Sequence, residues 1–261
     1  MLHRLRTVTA VACLCLAAWT AHAATVAEIV ARGSVRIGVL TGAPPMGMVD
    51  KDGNPSGYDV DVANLIGTYM NVPVKLVPLT PPARIPALQT GQVDFLVATL
   101  GPTAERAKTV MFTAPYSFFN MVVMSGATQK FETLDSLKGK RIAVNRGSTQ
   151  ESALRRAKVP GMEVVVFEDD STAAQALIAG QVDATALPST VATGVIQQLP
   201  AAGLQVGLTF FRQGNSMAVQ PKDFELHQYL NTVIYLMKMS GDLDAIATKW
   251  TGDPMPNIPG F

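Results

Sequence analysis

Ala87-Leu88-Gln89-Thr90-Gly91-Gln92-Val93-Asp94 returns later in the chain as Ala176-Leu177-Ile178-Ala179-Gly180-Gln181-Val182-Asp183. Each copy reads as the end of a helix, a glycine stop and the start of a strand, since glycine takes the left-handed backbone that closes a helix at no steric cost. Upstream of each copy lies a second echo. Arg36-Ile37-Gly38-Val39 followed by Gly42 is matched by Arg141-Ile142-Ala143-Val144 followed by Gly147, in both cases a strand running into a glycine turn. The chain therefore holds two units of like topology. The copies are unevenly spaced and no third occurs, which excludes a solenoid.

Around these copies, short β-rich runs alternate with helical stretches, the pattern of α/β layers with largely parallel sheets. Strands are predicted at 35–40, 74–78, 93–99 and 141–145, and helices at 58–70, at 84–90 and, after Gly147, one running to about Ala157. Two apolar runs, Phe118 to Ser125 and Ser216 to Val219, frame the second copy. If the first run carries the chain out of one lobe and the second brings it back, the second lobe is an insertion and the two runs form a double-stranded hinge.

The N-terminus sets the compartment. His3, Arg4 and Arg6 precede an apolar run from Val8 to Trp19, and Ala21-His22-Ala23 follows, which is the form of a secretory signal peptide cut after Ala23. The run is too short for a spanning helix, which needs ~20 apolar residues. Lipidation at Cys13 is disfavoured by the poor box Ala10-Val11-Ala12 before it. Cys13 and Cys15 are the only cysteines and leave with the signal, and His227 is the only histidine to survive it. Disulfides, thiol chemistry, a His-based metal cluster and a Ser-His-Asp triad are thereby set aside, and no cofactor or metal is expected. Lys and Arg fall from 21 to 19 against 20 acids, a net charge of −1, with no basic stripe for nucleic acid. His227 reads as a helix-surface residue.

Two segments carry the chemistry. Pro102-Thr103-Ala104-Glu105-Arg106 follows the strand ending near Thr99, and Thr103 is suited to cap a helix containing Arg106. A helix start at the carboxyl end of a strand is where open α/β sheets bind ligands, and the arginine fork grips a carboxylate in two places. Gly147-Ser148-Thr149-Gln150-Glu151 is the counterpart in the second unit, with a glycine for close approach and hydroxyls that cap amides. Two other segments take plain readings. Gly214-Asn215-Ser216-Met217-Ala218 falls one residue short of a nucleophile elbow and is read as the return crossover. Glu168-Asp169-Asp170-Ser171 is read as a solvated loop and N-cap.

A series of motifs runs along the chain: Gly53 through Gly57-Tyr58-Asp59-Val60-Asp61-Val62-Ala63, Arg84-Ile85-Pro86-Ala87-Leu88 to Gly91 and Asp94, and Thr103-Ala104-Glu105-Arg106-Ala107 with Phe112-Thr113-Ala114-Pro115-Tyr116. Gly139-Lys140-Arg141-Ile142-Ala143-Val144 to Gly147-Ser148-Thr149 and Lys249-Trp250 with Gly252 complete it. In order and spacing these motifs resemble the periplasmic amino-acid-binding proteins of ABC importers, bacterial solute-binding protein family 3. The resemblance covers essentially the whole mature chain. It implies a two-lobed periplasmic-binding-protein-like α/β fold of type II, each lobe a mostly parallel sheet flanked by helices, joined by a two-stranded hinge. The expected boundaries are 1–23 for the signal peptide, 24–121 with 218–261 for lobe one, and 122–217 for lobe two.

The resemblance further implies that Arg106 and Thr149 bind a ligand carboxylate, aided by amides near Thr99, Gly101 and Ser148 beside Gly147. The rest of the family site is altered. Pro188 stands where typical members place the acid that takes the ligand ammonium, and proline can neither accept a side-chain hydrogen bond nor pair with a cation. Ala43 replaces an aromatic wall, Met46 takes a common phenylalanine position, the opposite wall falls near Pro81, and Leu40 stands where some members have Asp. Either other acceptors meet the ammonium, or the solute has none; the sequence leans slightly to the second. The expected partners are a small carboxylate solute and a membrane ABC permease, with the protein a monomer that closes about its hinge. Two alternatives stay open: a cyclohexadienyl-dehydratase-like enzyme using Asp59 or Glu151 as its acid or base, and a ligand-sensing partner of a membrane receptor.

Overall fold

The computed structural model describes residues 25–254, so the expected signal peptide lies outside the described residues. In chain order the elements are α1 (Val26–Arg32), β1 (Val35–Leu40), β2 (Met48–Val49), β3 (Pro55–Ser56), α2 (Tyr58–Met70), β4 (Val74–Leu79), α3 (Arg84–Gln89), β5 (Phe95–Leu96) and β6 (Met111–Gly126). There follow β7 (Arg141–Asn145), α4 (Thr149–Ala157), β8 (Glu163–Phe167), α5 (Asp170–Ile178), β9 (Ala184–Pro188), α6 (Ser189–Gln198), β10 (Leu204–Val219), α7 (Phe224–Ser240) and α8 (Asp242–Thr251).

The repeated octapeptides build the same device twice. Gly91 and Gly180 both adopt positive φ, 72° and 69°. In the first copy Gly91 N–H donates to Leu88 O and Gln92 N–H to Ala87 O; in the second, Gly180 N–H donates to Leu177 O and Gln181 N–H to Ala176 O. The aspartate that ends each copy then locks onto the strand of its own unit. Asp94 N–H donates to Arg36 O while its carboxylate accepts Arg36 N–H at 2.7 Å. Asp183 repeats both bonds with Arg141, again at 2.7 Å for the carboxylate. This reciprocal pair is why the Arg-Ile and Val-Asp dipeptides recur together.

Eight strands form one mixed sheet in the order β4-β1-β5-β10-β6-β9-β7-β8, and β2 and β3 form a separate small ribbon. β1 runs parallel to β4 and β5, and β7 runs parallel to β8 and β9, so each flank is a parallel unit. The centre is antiparallel: β6 and β10, 16 residues each, pair from Leu204↔Gly126 to Val219↔Met111 with several register shifts. The two apolar runs of the sequence lie inside these strands. Bulges bend and twist a ribbon locally, which suits strands that pass from one parallel unit to the other.

Helices cover the flanks. α2, α7 and α8 bury Tyr58, Ile66, Leu230 and Leu243 with Ile37 and Phe95 in one cluster, while Leu137, Ile142, Val144 and Leu154 form another around β7. The predicted strand at 93–99 is shorter than expected. Only Phe95–Leu96 is regular, and the chain turns out of extended geometry at Thr99, whose φ is +50°. The expected helix at Arg106 is also reduced, to a single 3₁₀ turn over Arg106–Lys108. Thr103 still performs a capping bond, accepting Arg106 N–H at 3.1 Å.

Candidate functional site

The carboxyl ends of the parallel strands of both flanks face each other across a cleft at the central strands. Its two sides are in contact. Ser171 N–H and Oγ donate to Gly42 O at 3.2 and 3.3 Å, and a Cβ on Gly42 would stand 2.4 Å from the Asp169 carboxylate, so only glycine permits this approach. Arg106 spans the cleft, its Nη1 donating to Gly101 O at 2.5 Å and its Nη2 to Gly147 O at 2.8 Å.

Between these contacts lies a small cavity of about 20 Å³, room for roughly one water molecule. Among the residues expected to bind, Arg106, Thr149, Ser148, Thr99, Gly101 and Pro188 line it, with Leu40. Ser148 caps α4 as expected, its Oγ accepting Glu151 N–H at 3.1 Å. Thr99 is present but committed: its N–H donates to the Tyr116 hydroxyl at 3.0 Å and its hydroxyl to Asp59 at 2.5 Å. Its amide is therefore not offered to a ligand.

The other expected residues sit outside the lining. Gly147 contributes the carbonyl that accepts from Arg106. Pro81 stands one step back, its carbonyl accepting Arg84 Nε–H at 2.9 Å. Ala43 pairs with Gly47 in both directions at 2.9 and 3.0 Å, and this tight turn delivers Met46 into the hydrophobic core.

Arg84 and Asp170 are the main residues the sequence reading missed. Arg84 is buried at the start of α3, and its Nη1 donates to Ala98 O and Thr99 O at 3.0 and 3.2 Å. Burial, then the nearby Arg106 charge, lowers its pKa to about 9. Burial lowers that of Arg106 as well.

Asp170 corrects the reading of the acidic cluster. Asp169 is the N-cap, accepting Thr172 N–H at 2.8 Å, but Asp170 is not solvated: it is 3% exposed and lines the cavity. Burial raises its pKa to about 7, with Arg84 and Asn145 pulling the other way and Asp169 adding to the rise. Gln150 Nε2 donates to it at 3.4 Å. No ion pair within 4 Å joins Asp170 to either arginine among the described residues, so the cavity keeps its cationic and anionic walls apart. Phe119, Met121 and Pro188 supply apolar wall, and Asn145, Gln150 and Gln213 supply polar wall. A signal for Asp170 was available: it follows β8 at the carboxyl end of a parallel strand, where such sheets place ligands.

The carboxylates considered for acid–base chemistry do not reach the cavity. Asp59 is fully buried behind it, bonded to Thr99 and Tyr116, and burial raises its pKa to about 6. Glu151 accepts Gly147 N–H and pairs with Arg155. His227 sits on α7 with its Nε2 2.9 Å from Phe112 O. No cluster of three His, Cys, Asp or Glu suited to a metal occurs among the described residues. A larger groove of about 680 Å³ lies beside Phe118, Phe210 and Phe211, but its charged lining residues, Arg156 and Arg212, are both cationic.

Two parallel α/β units joined by two long strands, with a polar cavity where their carboxyl edges meet, define a two-lobed solute-binding fold of type II. The chain belongs to the bacterial extracellular solute-binding proteins, family 3, whose model matches residues 35–253. It is 27% identical over 223 residues to the L-cystine-binding protein TcyJ of Escherichia coli strain K12, covering 85% of this chain and 84% of that one. To the L-arginine-binding protein of Pseudomonas aeruginosa it is 32% identical over 226 residues, covering 83% and 87%. Among solved structures, an ancestral arginine-binding protein bound to arginine superposes with a TM-score of 0.80 at 34% identity, over 84% of this chain and 98% of that one. The ancestral amino acid-binding protein AncCDT-1, a precursor of cyclohexadienyl dehydratase, gives 0.80 at 30% identity, over 87% and 99%. The relatives compared by sequence are binding proteins. No described helix is long and apolar enough to cross a membrane.

Proposed function

We propose that this protein captures a small amino acid in its interlobe cleft outside the cytoplasmic membrane and delivers it to an ABC transporter. The observation that carries the reading is the convergence of Arg84, Arg106, Ser148, Thr149 and Asp170 on one cavity with its charges kept apart. A zwitterion complements that arrangement: its carboxylate goes to the arginine and hydroxyl side, its ammonium to Asp170. Pro188 removes the acid expected at one position, and Asp170 offers another from the start of α5. The slight leaning of the sequence toward a solute without an amino group is therefore set aside in favour of the amino acid.

Lobe one comprises 24–121 with 218–261 and lobe two 122–217, a division supported by β6 and β10 being the strands that pass between the parallel units. Closure follows from ligand contacts made by both lobes, since a ligand favours the closed state only by binding it better. A non-enzymatic role fits a cavity that Asp59 and Glu151 do not line.

The test is native mass spectrometry for a co-purified solute, then calorimetry at pH 6 and pH 8 with amino acids, hydroxy acids and dicarboxylates. An ammonium beside Asp170 favours the ionised carboxylate, so affinity rises as pH climbs through about 7. A solute lacking a cation binds more weakly over the same range, and that sign would sink the amino-acid reading.

A further inference from the structure

We infer that Asp59 is a positioning residue for the cleft: through Thr99 it fixes the backbone carbonyls that hold the Arg84 guanidinium on the cavity wall. The inference rests on the reading of Arg84 as one of the groups that meet the solute.

Asp59 does not line the cavity, yet it is tied into a network directly behind it. It is the second residue of α2, and the start of that helix is pinned to the preceding turn, Tyr58 N–H donating to Pro45 O at 3.1 Å and Asp59 N–H to Met46 O at 2.9 Å. Each carboxylate oxygen takes a donor, one the Tyr116 hydroxyl at 2.8 Å and the other the Thr99 hydroxyl at 2.5 Å. The Tyr116 hydroxyl oxygen in turn accepts Thr99 N–H at 3.0 Å, and the Tyr58 hydroxyl donates to Tyr116 O at 2.9 Å. Asp59, Tyr58 and Tyr116 are fully buried, so these bonds form away from water.

Thr99 is the residue this network grips. Its φ of +50° is left-handed, a conformation that a β-branched residue keeps only where its surroundings over-determine it. Bonds to both its N–H and its hydroxyl supply that constraint. The conformation has a consequence for Arg84. Successive carbonyls of a strand point to opposite edges, whereas a left-handed residue turns the two carbonyls that flank its Cα to the same side. Ala98 O and Thr99 O accordingly both accept Arg84 Nη1, at 3.0 and 3.2 Å, and Pro81 O takes Nε–H at 2.9 Å. Three carbonyls thus set the guanidinium on the wall it shares with Arg106. All of these residues belong to lobe one, so the arrangement does not depend on lobe closure. Charge acts in the same direction. Burial lowers the Arg84 pKa and the Asp59 charge opposes that fall, while burial raises the Asp59 pKa and the Arg84 charge opposes that rise.

The experiment follows the Arg84 Nε–H resonance by NMR in protein freed of solute by denaturation and refolding, assigned by its loss in Arg84→Lys. Its exchange with solvent is compared with that of the backbone amides of β1, which lies between β4 and β5 in the same lobe. Asp59→Ala should speed Arg84 exchange about tenfold relative to those amides, the scale of one lost hydrogen bond to a charged group. Asp59→Asn can still accept from Tyr116 and donate to the Thr99 hydroxyl, and should stay within about threefold of wild type. Thr99→Val keeps a branched side chain at positive φ without the bond to Asp59 and should match Asp59→Ala. Thr99→Gly, for which that φ carries no steric cost, should exchange more slowly than Thr99→Val. A purely structural role loosens Arg84 and β1 alike. Exchange that moves only in step with β1 in Asp59→Ala, or in Thr99→Val where the first variant does not fold, therefore overturns the proposal. The underlying reading is tested apart, by calorimetry with the standard L-amino acids, where Arg84→Ala should lose affinity. No binding, or an affinity unchanged in Arg84→Ala, would instead sink the reading of the site and leave Asp59 holding an arginine that meets no solute.

Discussion

The two copies of the helix–glycine–strand unit share every backbone bond of the turn, yet their terminal aspartates stand in different surroundings. Asp94 has a side chain 1% exposed and is held by ion pairs from both Arg32 and Arg36. Asp183 is only half-buried, and among the described residues its carboxylate accepts just the Arg141 N–H, while the Arg141 side chain turns to Glu163 instead. The same sequence device is thus a packed junction in one lobe and a surface clasp in the other. The cleft faces diverge in the same spirit: lobe one brings guanidinium groups, and lobe two brings a helix start with hydroxyls and a buried acid. Internal repetition conserved the scaffold and left the chemistry of each half free to differ.

That comparison can be broken by experiment. The largest effect is expected on the cleft. Arg106→Ala should weaken binding of the co-purified solute by ~2–5 kcal/mol, the usual cost of stripping one partner from a buried charge pair. Calorimetry with unchanged affinity would remove Arg106 as the anchor contributed by lobe one.

The two aspartates come next. Asp94→Ala leaves a backbone donor and two arginines without their shared partner and should lower unfolding stability by ~2–4 kcal/mol, whereas Asp183→Ala should cost only about 1 kcal/mol. Equal losses in urea unfolding would mean that burial does not separate the copies.

A smaller effect concerns Asp170. A carboxyl whose folded pKa is raised from 3.8 to about 7 holds its proton more tightly folded than unfolded. Its contribution to stability is therefore greatest below the unfolded pKa and is lost as pH rises through about 7. Asp170→Asn should melt a few degrees above the ligand-free wild type at pH 8, with the gap closing near pH 4. A constant gap would show that Asp170 is not the titrating group. Asp59, raised to about 6 by its own burial, keeps titrating in the variant and so leaves part of the slope in place.

The parts of the site legible in the sequence were those carried by local signals. Arg106 with Thr103, and Ser148 with Thr149, follow strand ends and carry capping chemistry, and both segments do meet at the cleft. Ala43, Met46 and Pro81 were placed by analogy of position, and the structure puts all three outside the lining, two of them behind a turn closed by Ala43 and Gly47. Arg84 was visible as the first residue of a helix, but nothing nearby in sequence says that its guanidinium turns inward to the carbonyls of Pro81, Ala98 and Thr99. Gln213, which accepts the Thr149 hydroxyl at the cavity wall, carried no signal at all, because Thr149 is 64 residues away.

By itself, then, the sequence determined the alternation of helices and strands, the two like units, and the glycine stops. These depend on periodicity and on backbone conformations that a few neighbouring residues dictate. Only the tertiary structure decided which polar groups are buried together. Asp169 and Asp170 are adjacent and chemically identical, yet one caps a helix half-exposed at the cleft edge beside Gly42 while the other is enclosed opposite two arginines from a distant part of the chain. Desolvation and long-range charge separate them, and both arise only once the lobes face each other.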